Sequence, residues 1–328
     1  MIFDFKIDVR SGYFIVMYKY LIFCLLLLTT CKEETDPQQV VSWTSLSAKH
    51  NIKDLLSYDY SKSDKVFVLG YHEGNLSGRY EVRDENFNIL KEVKLDFTPY
   101  SLLYTKDSIY ASRDLRYFAT NNDMIFVADD HGSITLFNPK DQKRIMSYTD
   151  PAAAGTPFVS FNSFVETEQY YILSIYTITT CVFIDKSTFE VTTFADSFAK
   201  NNAVGGWSLV KNKQGDIILS TILLGMVVDG YLVYKNGTWE PFQSTTLPTT
   251  EGEMGFVDSR NYGWVNSWDN RFFKIYDLTN NQFINTKPEK LSGNYFGYTL
   301  REHSSGDILV KSGTLISTTY ELMQIHFN

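Results

Sequence analysis

Short apolar runs alternate with polar turns along almost the whole chain, and one phrase recurs: an apolar strand, a turn often holding Gly or Asn, then a second strand rich in Ile, Val and Tyr. The second strands read Lys65-Val-Phe-Val-Leu69, Met124-Ile-Phe-Val-Ala128, Tyr171-Ile-Leu-Ser174, Asp216-Ile-Ile-Leu-Ser220, Tyr262-Gly-Trp-Val-Asn266 and Asp307-Ile-Leu-Val310. With Val66, Ile125, Ile172, Ile217, Trp264 and Ile308 taken as equivalent, the steps are 59, 47, 45, 47 and 44 residues. Self-similarity at this period is the spacing of propeller blades. Eight residues before each marker stand Tyr58, Tyr117, Phe164, Leu209, Phe256 and Leu300, all apolar, as an innermost strand facing a core requires.

The first five copies continue through a third strand, a turn with Asp or Asn, and a fourth strand, for example "YLVYKNGTWEPF". The sixth runs out after its third strand, Tyr320 to Phe327, and an unpaired blade edge invites aggregation. Val40-Val41-Ser42-Trp43, alternating and apolar, is predicted to close that last blade. The expected fold is therefore all-β: a β-propeller of six four-stranded blades closed by the N-terminal strand. The long first step is read as an insertion at Ser101 to Ser112, and if that segment is half a degenerate blade the count is seven. Short turns are expected at Asn51 to Leu56 and Asp196 to Asn202, and no substantial helix.

Ahead of the repeats lies a different pattern. Tyr20 to Thr30 carries no charge, but eleven residues of helix rise only about 16 Å, half the thickness of a bilayer's hydrocarbon. With Lys19 before it, Thr29 and Thr30 at its end and Cys31 after it, the run has the layout of a signal peptide. Asp4 and Asp8 lie where signal peptides avoid acid, so residues 1–16 read as a mis-assigned start and Met17 as the true one. The competing reading, an uncleaved anchor from Tyr13 to Thr30, places Lys19 inside the bilayer at a cost of about 3 kcal/mol. Leu28-Thr29-Thr30-Cys31 resembles a bacterial lipobox, with Thr30 in place of the usual smaller residue, and Cys31-Lys32-Glu33-Glu34 resembles the surface-export signal of Bacteroidota lipoproteins. The resemblance implies lipidation of Cys31, a signal peptide over 1–30, a lipidated tether over 31–39 and a single propeller over 40–328, attached to the outer membrane and possibly exposed at the cell surface. At the level of repeat pattern, copies four and six resemble the propeller sensor domains and six-bladed propeller lipoproteins of that group.

Composition agrees with this and narrows the function. Of three cysteines, Cys24 leaves with the signal and Cys31 carries lipid, so Cys181 has no partner for a disulfide. Net charge is −8 and no basic block occurs, which argues against nucleic acid as a partner. The 22 Tyr and 24 Phe suit strands.

The loops between second and third strands share a face with the blade-to-blade connections, where propellers usually bind. They supply His72, Glu73, Asp129, Asp130, His131, Trp268, Asp269 and Arg271, and Trp207 and Tyr298 are expected near the channel mouth. Aromatic faces beside charged groups suit a sugar or a peptide. Asp129-Asp130-His131-Gly132 reads as hairpin-turn chemistry rather than a metal site, and no cofactor is implied. Glu166, Asp258 and Glu302 share one aligned position, with Lys211 in copy four, and are read as solvated acids rather than a catalytic pair. Asp107-Ser108-Ile109 resembles the short O-glycosylation sequon of Bacteroidota and points to an exposed insertion. No nucleophile motif, phosphate loop or His-Glu-x-x-His occurs. The leading expectation is a binding or scaffold module for an extracellular glycan, peptide or envelope protein. The alternative is a glycan-active hydrolase or lyase with carboxylates at the channel mouth.

Overall fold

The computed structural model describes residues 39–74, 76–154, 156, 159–177, 179–194, 204–223, 231–242, 253–266, 273–284, 286–288, 296–313 and 320–327. Six four-stranded antiparallel blades stand in a ring. Their inner strands are Leu55–Ser61, Arg116–Ala119, Phe161–Glu166, Val204–Lys211, Glu253–Val257 and Phe296–Glu302. Each apolar position found eight residues before a marker lies in one of these strands and pairs with an apolar residue of the second, as in Tyr58 with Leu69 and Leu300 with Val310. In the third and fifth blades the second strand begins two residues before its marker, at Tyr170 and Tyr262. The register differs from blade to blade, so Ile172 and Ile217 both lie in the core between the third and fourth blades, on opposite faces of their own blades, and the repeat stays visible because the second strands are buried on both faces.

The cores lie between blades. Phe126, Phe161, Tyr171 and Ile184 pack between the second and third, and Trp264, Ile275, Ile308 and Ile325 between the fifth and sixth. Cys181 is wholly buried in the seam of the third and fourth, and burial pushes its thiol well above the usual range, which leaves it unreactive.

Closure follows the expectation. Gln39–Ser45 pairs antiparallel with Glu321–Phe327 through five residues, Trp43 opposite Ile325. Its outer edge is covered as well, because Thr286–Pro288 runs parallel to it from Gln39 to Val41, a contact the pattern did not suggest. The segment Ser101 to Ser112 forms a two-stranded hairpin, Ser101–Tyr104 with Ile109–Ser112. Its first strand packs between the inner strands of the first and second blades. Leu102 joins Val68 and Tyr80 in a core, and the Tyr104 amide donates to Asp59 at 2.8 Å. The insertion is thus a half-blade that adds a seventh inner strand to six full blades. A short helix, Leu46–Lys49, capped by Ser45, leads from the closing strand into the first blade. Asn51 and Asp54 adopt positive φ in the turn after it, and the second expected turn, 196–202, lies outside the described residues.

Neighbouring blades are latched along the lower face, where first strands turn into second ones. In four blades the amide of the turn's second residue donates to the side chain of the following blade. Asn121 donates to Glu166 at 2.7 Å, Lys213 to Asn261 at 2.9 Å, Ser259 to Glu302 at 2.9 Å and Ser304 to the Tyr60 hydroxyl at 3.1 Å. An amide left unpaired at such a seam would cost about 1–3 kcal/mol, so each latch fixes one blade against the next.

Candidate functional site

Five of the six inner strands carry a bulge near their upper ends, at Leu56, Asn162, Trp207, Gly255 and Tyr298 with Thr299. A bulge bends its strand and re-aims a side chain, and bulges concentrate at barrel rims and binding sites. The residue after the bulge is a serine in three blades, and each joins the adjacent blade. Ser57 donates to the Pro99 carbonyl, Ser163 accepts from the Leu209 amide and Ser208 donates to the Met254 carbonyl. Trp207 and Tyr298, expected near the channel mouth from their distance to the markers, therefore occupy equivalent bulges on two separate blades. The fourth inner strand comes so close to the third blade's upper loop that a Cβ at Gly206 would sit 1.9 Å from the Thr180 carbonyl oxygen. Only glycine fits there.

The second blade's inner strand has no bulge and begins at Arg116. Its guanidinium donates to Asn162 Oδ1, on the neighbouring bulge, at 2.9 Å. Arg116 is exposed by surface area, yet desolvation alone holds its pKa below the usual guanidinium range. Water reaches it while protein surrounds it, the situation of a side chain lining a channel, and the area is the better guide to its access. Lys311 lies close enough to be repelled by it. The ammonium donates to the Leu56 carbonyl at 3.1 Å and stands 4.4 Å from the Tyr320 ring centroid. Burial first, and Arg116 second, push its pKa down to about 8. Lower in the channel Arg301 is also enclosed by protein with 39% of its side chain accessible, but it is paired with Asp59 at 2.7 Å.

Asp129, Asp130 and His131 lie together on the second blade's upper loop. Asp129 Oδ1 accepts the amides of His131 at 2.9 Å and Ser133 at 2.8 Å, so this carboxylate builds the turn. His131 Nε2 lies 3.4 Å from Asp130 Oδ1 in open solvent. Among the described residues no group of His, Cys, Asp and Glu is arranged to hold a metal. His72 contacts Thr98 at 3.3 Å and Glu73 pairs with Arg79 at 2.5 Å. Trp268, Asp269, Arg271 and Cys31 lie outside the described residues, and so do the side chains of Trp207 and Tyr298.

The aligned acids differ from their expected role as solvated groups. Glu166 pairs with Lys186 at 2.6 Å, Asp258 with Arg260 at 2.5 Å, and Glu302 with Lys62 at 2.8 Å, with carboxylate side chains 8%, 0% and 13% exposed. Two of them serve as latches, and Asp258 Oδ2 accepts the indole N–H of Trp264 at 3.1 Å. Their side chains were recruited to join blades, which a linear alignment of charges does not reveal. Asp150 was not foreseen at all. Wholly buried, it accepts the hydroxyls of Thr177 and Thr179, both at 2.6 Å, and so ties the connection after the second blade to the third blade's upper loop.

Outside the channel, a groove of about 350 Å³ between the outer strands of the third and fourth blades is lined by Tyr170, Phe183, Phe194, Tyr234 and Trp239. The exposed turn Lys106 to Ser108 ends the half-blade on the lower face, so the sequon's Asp107 and Ser108 are accessible.

No family model matches the chain, and no curated protein is similar to it in sequence. Solved structures are. The chain superimposes on a structure of U3-55K with a TM-score of 0.54, at 7% identity, over 83% of this chain and 95% of that one. With the WD40 repeats of RRP9 the TM-score is 0.55, again at 7% identity, over 84% and 94%. This chain has the fold of a β-propeller. At such identity the likeness concerns architecture alone, and propellers carry unrelated activities.

Proposed function

We propose that this propeller is a non-enzymatic interaction module, held on the outer side of a bacterial envelope by lipid on Cys31, with a partner protein or peptide received at its upper face. The observation that supports it is the difference between the two faces. The lower-end carboxylates, which an acid/base mechanism would draw on, are committed to Lys186, Arg260 and Lys62 and to neighbouring blades. Hydrolysis of a glycan needs two carboxylates roughly 5 to 9.5 Å apart and free to exchange protons. The upper face instead carries five bulged inner-strand ends and the Arg116 guanidinium, which has no acid within ion-pair reach among the described residues, and bulges concentrate at binding sites.

A photo-crosslinking residue at His131, on the upper face, is expected to form adducts in cells at a specific mass, whereas the same residue at Lys140, on the lower face, forms none. Adducts from Lys140 alone, or equally from both, sink the reading. Anchorage is tested separately. Cys31→Ser is expected to move the protein from the membrane fraction to the soluble fraction, and unchanged retention would replace the lipid with the spanning anchor.

A further inference from the structure

We infer that the upper mouth of the channel is a carboxylate-binding site in which Arg116 grips an acidic side chain of a bound peptide and Lys311 supplies a second positive charge. The inference rests on the interaction-face reading above and names the chemistry the face selects.

Among the described residues no carboxylate lies within ion-pair reach of Arg116, a condition it shares with the exposed Arg144, whereas Arg79, Arg83, Arg260 and Arg301 each contact an acid at 3.2 Å or less. Among the described residues the one hydrogen-bond partner of Arg116 is a neutral amide oxygen, which orients the guanidinium without discharging it. A guanidinium presents five N–H donors in a flat fork that matches a carboxylate two bonds at a time. With one terminal nitrogen turned to Asn162, the rest of the fork remains available. The position is also confined. Arg116 opens its inner strand, between the half-blade on one side and the Asn162 bulge on the other, where a guest's charge would be partly desolvated and the interaction strengthened. Lys311, which donates to the Leu56 carbonyl at 3.1 Å, adds a second positive charge at this end of the channel.

A peptide is favoured over a small ion by what borders the cation. Tyr100 stands at the upper end of the half-blade's inner strand, next in the ring to that of Arg116, and offers an exposed aromatic ring for the residues flanking an acid.

The test uses the full chain and fluorescein-labelled hexaglutamate, with hexaglutamine as the neutral control. Hexaglutamate is expected to bind the wild type in a salt-sensitive manner and hexaglutamine not to. Arg116→Gln should weaken hexaglutamate at least about tenfold, the worth of one charge-assisted hydrogen bond, while its melting temperature stays equal to the wild type's or rises. Arg116→Lys, which keeps the charge and loses the fork, should fall between. Equal binding by wild type and Arg116→Gln overturns the site. Displacement of hexaglutamate by inorganic phosphate at matching concentrations overturns the peptide in favour of a small-anion site. Absence of hexaglutamate binding with the His131 crosslink intact overturns this inference alone, whereas loss of both overturns the interaction face.

Discussion

Deletion of residues 39–45 is expected to unfold the domain. Those seven residues supply the fourth strand of the last blade, and without them Glu321–Phe327 presents an open edge and Trp43 is lost from the core around Trp264. Five register pairs of backbone hydrogen bonds at about 1 kcal/mol each, and an aromatic side chain worth about 2 kcal/mol, together approach the whole stability of a typical domain, about 5–15 kcal/mol. The measurement is thermal unfolding followed by far-ultraviolet circular dichroism. A cooperative transition at the wild-type temperature would mean that the ring does not depend on this seam. Addition of a peptide spanning residues 38–46 should restore the transition in trans, because the groove it fills is formed by strands that remain.

Trp264→Ala is expected to be the most damaging single substitution in the fifth and sixth blades. The indole is 1% exposed, meets Phe327 edge-on at 5.5 Å between ring centroids, and donates its N–H to Asp258. Truncation leaves a cavity and a buried carboxylate with one donor fewer, a cost of about 3–5 kcal/mol. That corresponds to a fall of about 6–20 °C in melting temperature for a domain of this size. Trp264→Phe separates the two contributions. It retains most of the ring and should cost about 1–3 kcal/mol, chiefly the lost hydrogen bond to Asp258. Urea unfolding gives both values, and equal losses for the two variants would show that packing contributes nothing beyond the hydrogen bond.

The blades were legible in the sequence because their signal is periodic. Each second strand is buried on both faces and each inner strand carries an apolar residue eight positions ahead of its marker, so a register that differs from blade to blade did not hide the repeat. The closing strand was legible for a negative reason, since Glu321–Phe327 lacked a partner and one alternating apolar run remained. The half-blade was visible only as an overlong step, because its two strands are too short to carry the phrase. The site was far less legible. Latches use the same backbone amide in four blades but accept it with Glu, Asn, Glu and Tyr, so residue identity does not repeat where geometry does. Arg116 belongs to no motif. What sets it apart is a place at the channel mouth with no acid in reach among the described residues, and its neighbours Asn162 and Lys311 come from blades far away in the chain. Asp129 was read both as a candidate binding residue and as turn chemistry, and the structure gives it the turn role, through two amides that Asx-type turns commonly use.

The closing strand has a mechanical side. Gln39–Ser45 lies between two strands of opposite direction, antiparallel to Glu321–Phe327 and, at its first three residues, parallel to Thr286–Pro288. Force arriving from the N-terminal side along the strand axis therefore loads both ladders in shear, where bonds must fail together, instead of peeling one edge bond by bond. Such a load would be shared by the fifth and sixth blades before any single hydrogen bond gave way.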